Sequence, residues 1–200
     1  MAATILLVRH AEHGEFDQRL SGRRPGIGLS DHGLAQAARL ARWLAPHPID
    51  RIEASPLERT QQTAAALAAA TGAPLVTQPA LIEIDMGDWS GRAFGTFGDD
   101  PAWRAWNERR GTARIPGGES MAEAQARIVG RLTALATSDD GGTVALVSHS
   151  DMIRAALCWA LGLPLDNLLR FDIGPASVSR VAVGTWGARV LSINEGVHDG

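Results

Sequence analysis

Three short apolar runs, each closed by polar residues, most constrain how this chain can fold. TILLVR at 4–9 leads into His10, RIEA at 51–54 into Ser55 with Arg59 beyond it, and TVALVS at 143–148 into His149. Runs this short and β-branched read as buried strands. Residues 74–77 suggest another strand. Helical patterns lie between them. The first spans about 31–45, with Ser30 as N-cap and a stripe of Leu34, Ala37, Ala38, Ala41 and Leu44. The second is opened by Ser55 and Pro56, with Glu58 completing a capping box, and ends near Ala70 before Gly72. Ser120 and Glu123 form a capping box for a third helix, to about Thr137, and residues 151–162 form another that stops at Gly162. SVSRVAV and ARVLSI around GTWG read as a hairpin. Strands joined through helices pair in parallel, so a mostly parallel sheet covered on both faces is expected.

Residues 85–118 break this rhythm. Gly87, Gly91, Gly95 and Gly98 interrupt any periodicity, while Trp89, Phe94, Phe97, Trp103 and Trp106 cluster around a short helix near 100–110. The stretch reads as an insertion lying over the sheet, a lid or, better supported by its aromatics, a packing element. A chain of 200 residues suits a single domain, 1–200, carrying that insertion.

Net charge is −3 without a basic block, which gives no reason to expect a nucleic-acid partner. All 19 cationic side chains are arginine, so a lysine-dependent phosphate loop is excluded. Cys158 is the only cysteine; it reads as a buried small hydrophobe in a reducing, cytoplasmic setting. With Pro164 six positions on, it cannot begin the C-x5-R loop of cysteine phosphatases. No signal peptide or membrane segment is visible, so no membrane partner is expected.

The polar residues after the strands would meet at one edge of the sheet, because parallel strands direct their carboxyl ends to a common crevice. Arg9, His10, Arg59 and His149 would make that edge electropositive. Arginine's planar fork matches phosphate oxygens, and the first amides of the helix after His149, from Ser150 on, would add to the cradle. A neutral imidazole can also take a phosphoryl group, while flanking cations offset charge on the equatorial oxygens. A carboxyl group with a raised pKa would protonate the leaving alcohol. Glu83, just before the insertion, is the candidate.

These segments together resemble the histidine phosphatase superfamily, the phosphoglycerate-mutase-like group. LLVRHAE at 6–12, GLSDHGLAQA at 28–37, ASPLERTQQTA at 54–64, LIEIDMGDWSG at 81–91, PGGES at 116–120 and VSHSDMIRA at 147–155 resemble its blocks in order. The resemblance implies a three-layer α/β/α sandwich with a mostly parallel mixed sheet. It implies His10 as the nucleophile forming a phosphohistidine, Arg9, Arg59 and His149 as phosphoryl-binding residues, and Glu83 as the proton donor. Ser21 and Gly22 match a pair that touches substrate, Ser150 is placed in the binding set, and no metal or cofactor is needed.

Ala11 stands where glycine is commoner, His13 where Thr or Ser is frequent, and Phe16 near an Asn position; the loop from His10 to Gly22 is shorter than usual. His13 is either a substitute substrate contact or a solvated loop residue. Gln36, Thr63, Ser120 and Arg154 are expected to support the pocket from behind rather than touch phosphate.

The expected function is hydrolysis of a small phosphorylated metabolite. Glycolytic acids, phosphoserine, ribazole phosphate and sugar phosphates are all compatible. The alternatives are a cofactor-dependent phosphoglycerate mutase, for which Arg104, Arg109 and Arg110 could hold a second anionic group, and a phosphate-ester-binding protein without turnover. The terminal hairpin offers an edge strand on which a homodimer could form.

Overall fold

The computed structural model of the protein describes residues 2–137 and 141–196. Its elements are β1 (Ala3–Arg9), α1 (Asp31–Leu44), β2 (Arg51–Ala54), α2 (Glu58–Thr71), β3 (Leu75–Thr77), α3 (Pro101–Glu108), α4 (Met121–Ala136), β4 (Gly142–Ser148), α5 (Ser150–Leu161), β5 (Val178–Gly184) and β6 (Gly187–Glu195). The sheet order is β3-β2-β4-β1-β5-β6. β3, β2, β4 and β1 are mutually parallel, and β5 and β6 add the antiparallel hairpin. The chain builds outward to β3, returns through α4 to lay β4 between β2 and β1, and finishes on the far side of β1.

Alternation along the central strands sends side chains into two separate cores. Ile5, Leu7, Val144 and Leu146 meet α4 and α5 through Ile128, Leu132, Ile153 and Leu157. Leu6, Val8, Ala145 and Val147 meet α1 and α2 through Leu40, Leu44, Ala64 and Leu67. The result is the expected three-layer α/β/α arrangement. Among the described residues no helix is long and apolar enough to cross a membrane.

Local signals place most boundaries. Ser30 caps α1 by accepting from the Gly33 N–H, and Ser120 and Glu123 form the reciprocal capping box of α4. Gly72 and Gly162 close α2 and α5 in the left-handed conformation, with φ of 74° and 66°. The buried face of α1 differs from the expected stripe: Leu34 is half exposed, and Gly33 and Leu40 are buried instead. Gly33 faces the loop that follows β1, where a Cβ would overlap the Glu12 carbonyl. Gly33 is thus the residue of this turn set against the loop, and Leu34 falls outside the contact.

The capping box expected at Ser55 does not form. Leu57 is the N-cap and α2 starts at Glu58. The Ser55 hydroxyl instead lies 2.8 Å from His149 Nε2. The Ser55 carbonyl accepts from Thr60 Oγ1 at 2.8 Å and Gln61 Nε2 at 2.7 Å. A tertiary partner has taken the cap's hydroxyl, and the helix begins one residue later than Leu57 without it.

In residues 85–118 the aromatics are largely packing. Trp89 lies edge-on to Phe97, Trp103 and Trp106, and Phe97 stacks on Trp103 at 4.1 Å. Trp89, Phe97 and Trp106 are buried in the core beneath α4 and α5. Phe94 is the exception, exposed at a pocket's mouth.

Candidate active site

Strand register makes the site. Arg9 pairs with Ser148 and Ala54 with Val147, so the carboxyl ends of β1, β4 and β2 finish level. His10, His149 and Ser55 are the next residues on each strand. A pocket of about 130 Å³ opens there, lined by Arg9, His10, His13, Ser21, Gly22, Arg59, Glu83 and Ser150. Phe16, Asp17, Arg19, Leu20, Met86 and Phe94 complete the wall. His149 lies below the pocket floor, fully buried, its ring 5.2 Å from that of His10.

His10 is held from both sides. Its N–H donates to Ser148 O and its carbonyl accepts from Ala176 N. Its Nδ1 lies 2.7 Å from Ala11 O. A carbonyl only accepts, so Nδ1 carries the ring proton and Nε2 keeps its lone pair. The Arg59 Nε–H points at that Nε2 from 3.4 Å. Burial first, then Arg59 and Arg9, push the His10 pKa well below 6.5, so the ring is neutral at neutral pH.

The residues behind His10 fix its loop. Thr63 Oγ1 accepts from Ala11 N at 3.1 Å, and Gln36 Oε1 accepts from Glu12 N at 2.9 Å. These are the supporting roles expected of Thr63 and Gln36. Arg154 also stays behind the pocket, donating to Phe171 O and pairing with Asp151 at 3.6 Å.

Arg59 is 2% exposed, and among the described residues no carboxylate forms an ion pair with it. Nη2 donates to Gly22 O at 2.9 Å and lies 3.2 Å from His149 Nδ1. Nη1 is buried without a hydrogen-bond partner. Since arginine only donates, His149 Nδ1 accepts, and the His149 proton sits on Nε2, facing the Ser55 hydroxyl. Burial first, then the charges of Arg59 and Arg9, push the His149 pKa well below 6.5, so it is neutral too. Arg9 donates through Nη1 to Ile173 O at 2.5 Å, and its Nε has no partner. Buried guanidinium N–H groups without acceptors are costly, and both belong to side chains that line the pocket.

Gly22 has φ of 51°, and a Cβ there would crowd Met86 and Ser90 at 3.1 Å. Ser21 turns its hydroxyl to Glu15 at 3.2 Å, and Glu15 also pairs with Arg24 at 2.8 Å. Ser150 begins α5 and lines the pocket, so the helix N-terminus adjoins it.

Glu83 Oε2 lies 3.8 Å from His149 Nδ1, and Oε1 accepts from Ile84 N at 2.9 Å. Burial, reinforced by the charge of Asp151, raises its pKa from 4.5 to about 7, against the opposing pull of Arg59 and Arg9. The folded state therefore holds a proton that the unfolded chain has released between those two values. Folding stability contributed by that proton is present below about 4.5 and is lost as pH rises to about 7. Glu83→Gln is expected to gain stability relative to the wild type across that window and to hold a constant lead above it. Denaturant titrations at pH 4.5, 6 and 8 check this; parallel pH profiles would contradict the raised pKa.

The arginines of the 85–118 segment do not join the site. Arg110 is buried against Asp151 and over the Trp106 ring, and Arg104 lies 3.5 Å from Asp99. Neither they nor Arg109 line the pocket. Their spacing showed positive charge but not direction: the fold sets Arg104 beside Asp99 and Arg110 against Asp151. His13 is also not a solvated loop histidine: it is 9% exposed and lines the pocket. Glu15, Asp17, Phe94 and the Ser55 hydroxyl went unforeseen, because irregular loops carry no periodicity that would place them.

The model of the histidine phosphatase superfamily (branch 1) matches residues 5–196. Phosphoserine phosphatase 1 of Hydrogenobacter thermophilus is 34% identical over 98% of this chain and 94% of its own. A probable phosphoglycerate mutase GpmB of Yersinia pestis is 35% identical over 88% of this chain and 83% of its own. The structure of a mycobacterial glucosyl-3-phosphoglycerate phosphatase superposes with a TM-score of 0.86 at 28% identity, covering 98% of this chain and 100% of that one.

Proposed function

The chain belongs to the histidine phosphatase superfamily, and on that premise we propose that it hydrolyses a small phosphorylated metabolite by passing the phosphoryl group through His10. One observation carries the reading. His10 presents an unprotonated Nε2 beneath Arg59, whose Nη1 is buried without an acceptor.

In the first step, Nε2 of His10 attacks phosphorus and the ester P–O bond breaks. Arg9 and Arg59 hold the equatorial oxygens, with His149 and the α5 amides beneath, and offset their growing charge. Protonated Glu83 gives its proton to the leaving oxygen; a carboxyl group with a pKa of about 7 is suited to that exchange at neutral pH. In the second step, the Glu83 carboxylate takes a proton from water, the water oxygen bonds to phosphorus, and the P–N bond breaks. Ser21 and Gly22 complete the wall around the ester.

Hydrolysis is favoured over mutase activity because Arg104, Arg109 and Arg110 are not at the pocket. A mutase must hold a second anionic group and exclude water until the phosphoryl group returns. Met86 and Phe94 contribute walls from the 85–118 segment, which we read as the cover of a one-domain enzyme. A cytoplasmic location suits a chain whose one cysteine, Cys158, is free and buried. The edge strand β6 could pair two copies.

The test is phosphate release from small phosphomonoesters, with and without a chelator, alongside interconversion of 2- and 3-phosphoglycerate. Chelator-resistant release is the expected result. Interconversion without release would replace the hydrolase reading with the mutase one, and tight ester binding without either would leave a binding protein.

A further inference from the structure

Beside His10 the pocket wall carries a second histidine. His13 lies on the loop after β1, with its ring 5.5 Å from that of His10. Its backbone is pinned: His13 bridges to Leu29, and its carbonyl accepts from Phe16 N at 3.0 Å. The Phe16 ring packs against it edge-on at 6.1 Å and itself lies under the Arg9 guanidinium at 5.5 Å. The imidazole is therefore held between the nucleophile and a fixed aromatic wall.

Its tautomer follows from one contact. Nδ1 lies 3.2 Å from the backbone N–H of Glu15, which can only donate. Nδ1 is thus bare, and the proton of the neutral ring sits on Nε2. Among the described residues Nε2 has no hydrogen-bond partner. Burial first, then Arg59 and Arg9, outweigh Glu15 and Glu12 and lower the pKa to about 4, so the ring stays neutral across the physiological range. Nε2 is not sealed off in the interior: its N–H is open to the pocket and available to an incoming acceptor.

We propose that His13 is a substrate-contacting residue whose Nε2–H donates to a phosphoryl oxygen of the ester seated over His10. The proposal rests on the assignment of His10 as phosphoryl acceptor. Arg9 and Arg59 supply charge; a neutral His13 supplies direction. It adds a hydrogen bond without further positive charge that would depress the basicity of His10.

The probe is inorganic phosphate, titrated into the full chain as wild type, His13→Ala and His13→Gln. A glutamine amide reaches about as far as Nε2 and keeps a donor there. His13→Ala is expected to weaken phosphate binding on the order of tenfold and to raise KM more than it lowers kcat. His13→Gln should restore binding to within about threefold of wild type, the span of roughly half a hydrogen bond. In the wild type, ¹⁵N spectra of the imidazole should show the Nε2–H tautomer, with its proton resonance moving as phosphate is added. A folded His13→Ala protein binding phosphate as tightly as wild type would overturn the proposal. So would a folded His13→Gln protein that restores nothing, or an Nδ1–H tautomer in the wild type. The two readings fail separately: phosphate binding that depends on His13 without ester hydrolysis removes the hydrolase assignment alone, and hydrolysis indifferent to His13 removes the contact alone.

Discussion

Replacing His10 with alanine is expected to reduce phosphate release by ~10⁴-fold or more, because the whole covalent route is lost with the nucleophile. The residual rate would come from the arginines and the α5 amides, which still bind the ester but have nothing to receive the phosphoryl group. The wild type should label with radioactive phosphate from its substrate, through an acid-labile, base-stable bond; His10→Ala should not. Fold loss is not the cause to expect. The hydrogen bonds that anchor position 10 to Ser148 and Ala176 are made by the backbone and survive the substitution. Release from the variant at the wild-type rate would remove His10 from the reaction and leave His149 or His13 to be tested in its place.

Arg59→Met is expected to cost about 10³-fold in kcat/KM, as loss of a charged donor to the transferring group does elsewhere. Its effect on stability should run differently. Arg59 is buried with one guanidinium nitrogen unpartnered, so in the free enzyme its desolvation is not repaid. An apolar side chain of similar length removes that penalty while giving up the bonds to Gly22 O and His149 Nδ1. The variant should therefore melt within about 2 kcal/mol of the wild type or above it. Phosphate separates the two proteins. At a hundred times its dissociation constant it adds about 2.7 kcal/mol to the wild type by linkage, whereas Arg59→Met should barely respond. A variant that unfolds severely yet still responds to phosphate would mean that Arg59 is structural.

Much of this was legible in the chain. The short apolar runs at 4–9 and 143–148, with helical stretches between them, determine a parallel sheet because short buried strands joined by helices have few other solutions. Gly72, Gly162 and the Ser120–Glu123 box mark their helix ends because caps are local interactions. Arg9, His10, Arg59 and His149 could be assigned to one edge because topology alone brings strand ends together. Glu83 could be nominated from its place before the 85–118 segment, but not its raised pKa, which depends on what buries it.

The remainder required the third dimension. Ser55 reads as a cap until His149, 94 residues away, takes its hydroxyl. Leu34 reads as core until Gly33, not Leu34, is set against the loop at Glu12. Arg104 and Arg110 read as anion ligands until the fold pairs them with Asp99 and Asp151. His13 reads equally as solvated or functional until Phe16 and Glu15 N close around its ring. Periodicity and capping are set by neighbours within a turn or a strand, so the sequence by itself determined the elements, their order and the strand-end residues of the site. Burial and pKa depend on groups distant in the chain, as does the His149 tautomer that Arg59 sets, so only the tertiary structure decided which of those side chains face the pocket and in what protonation state.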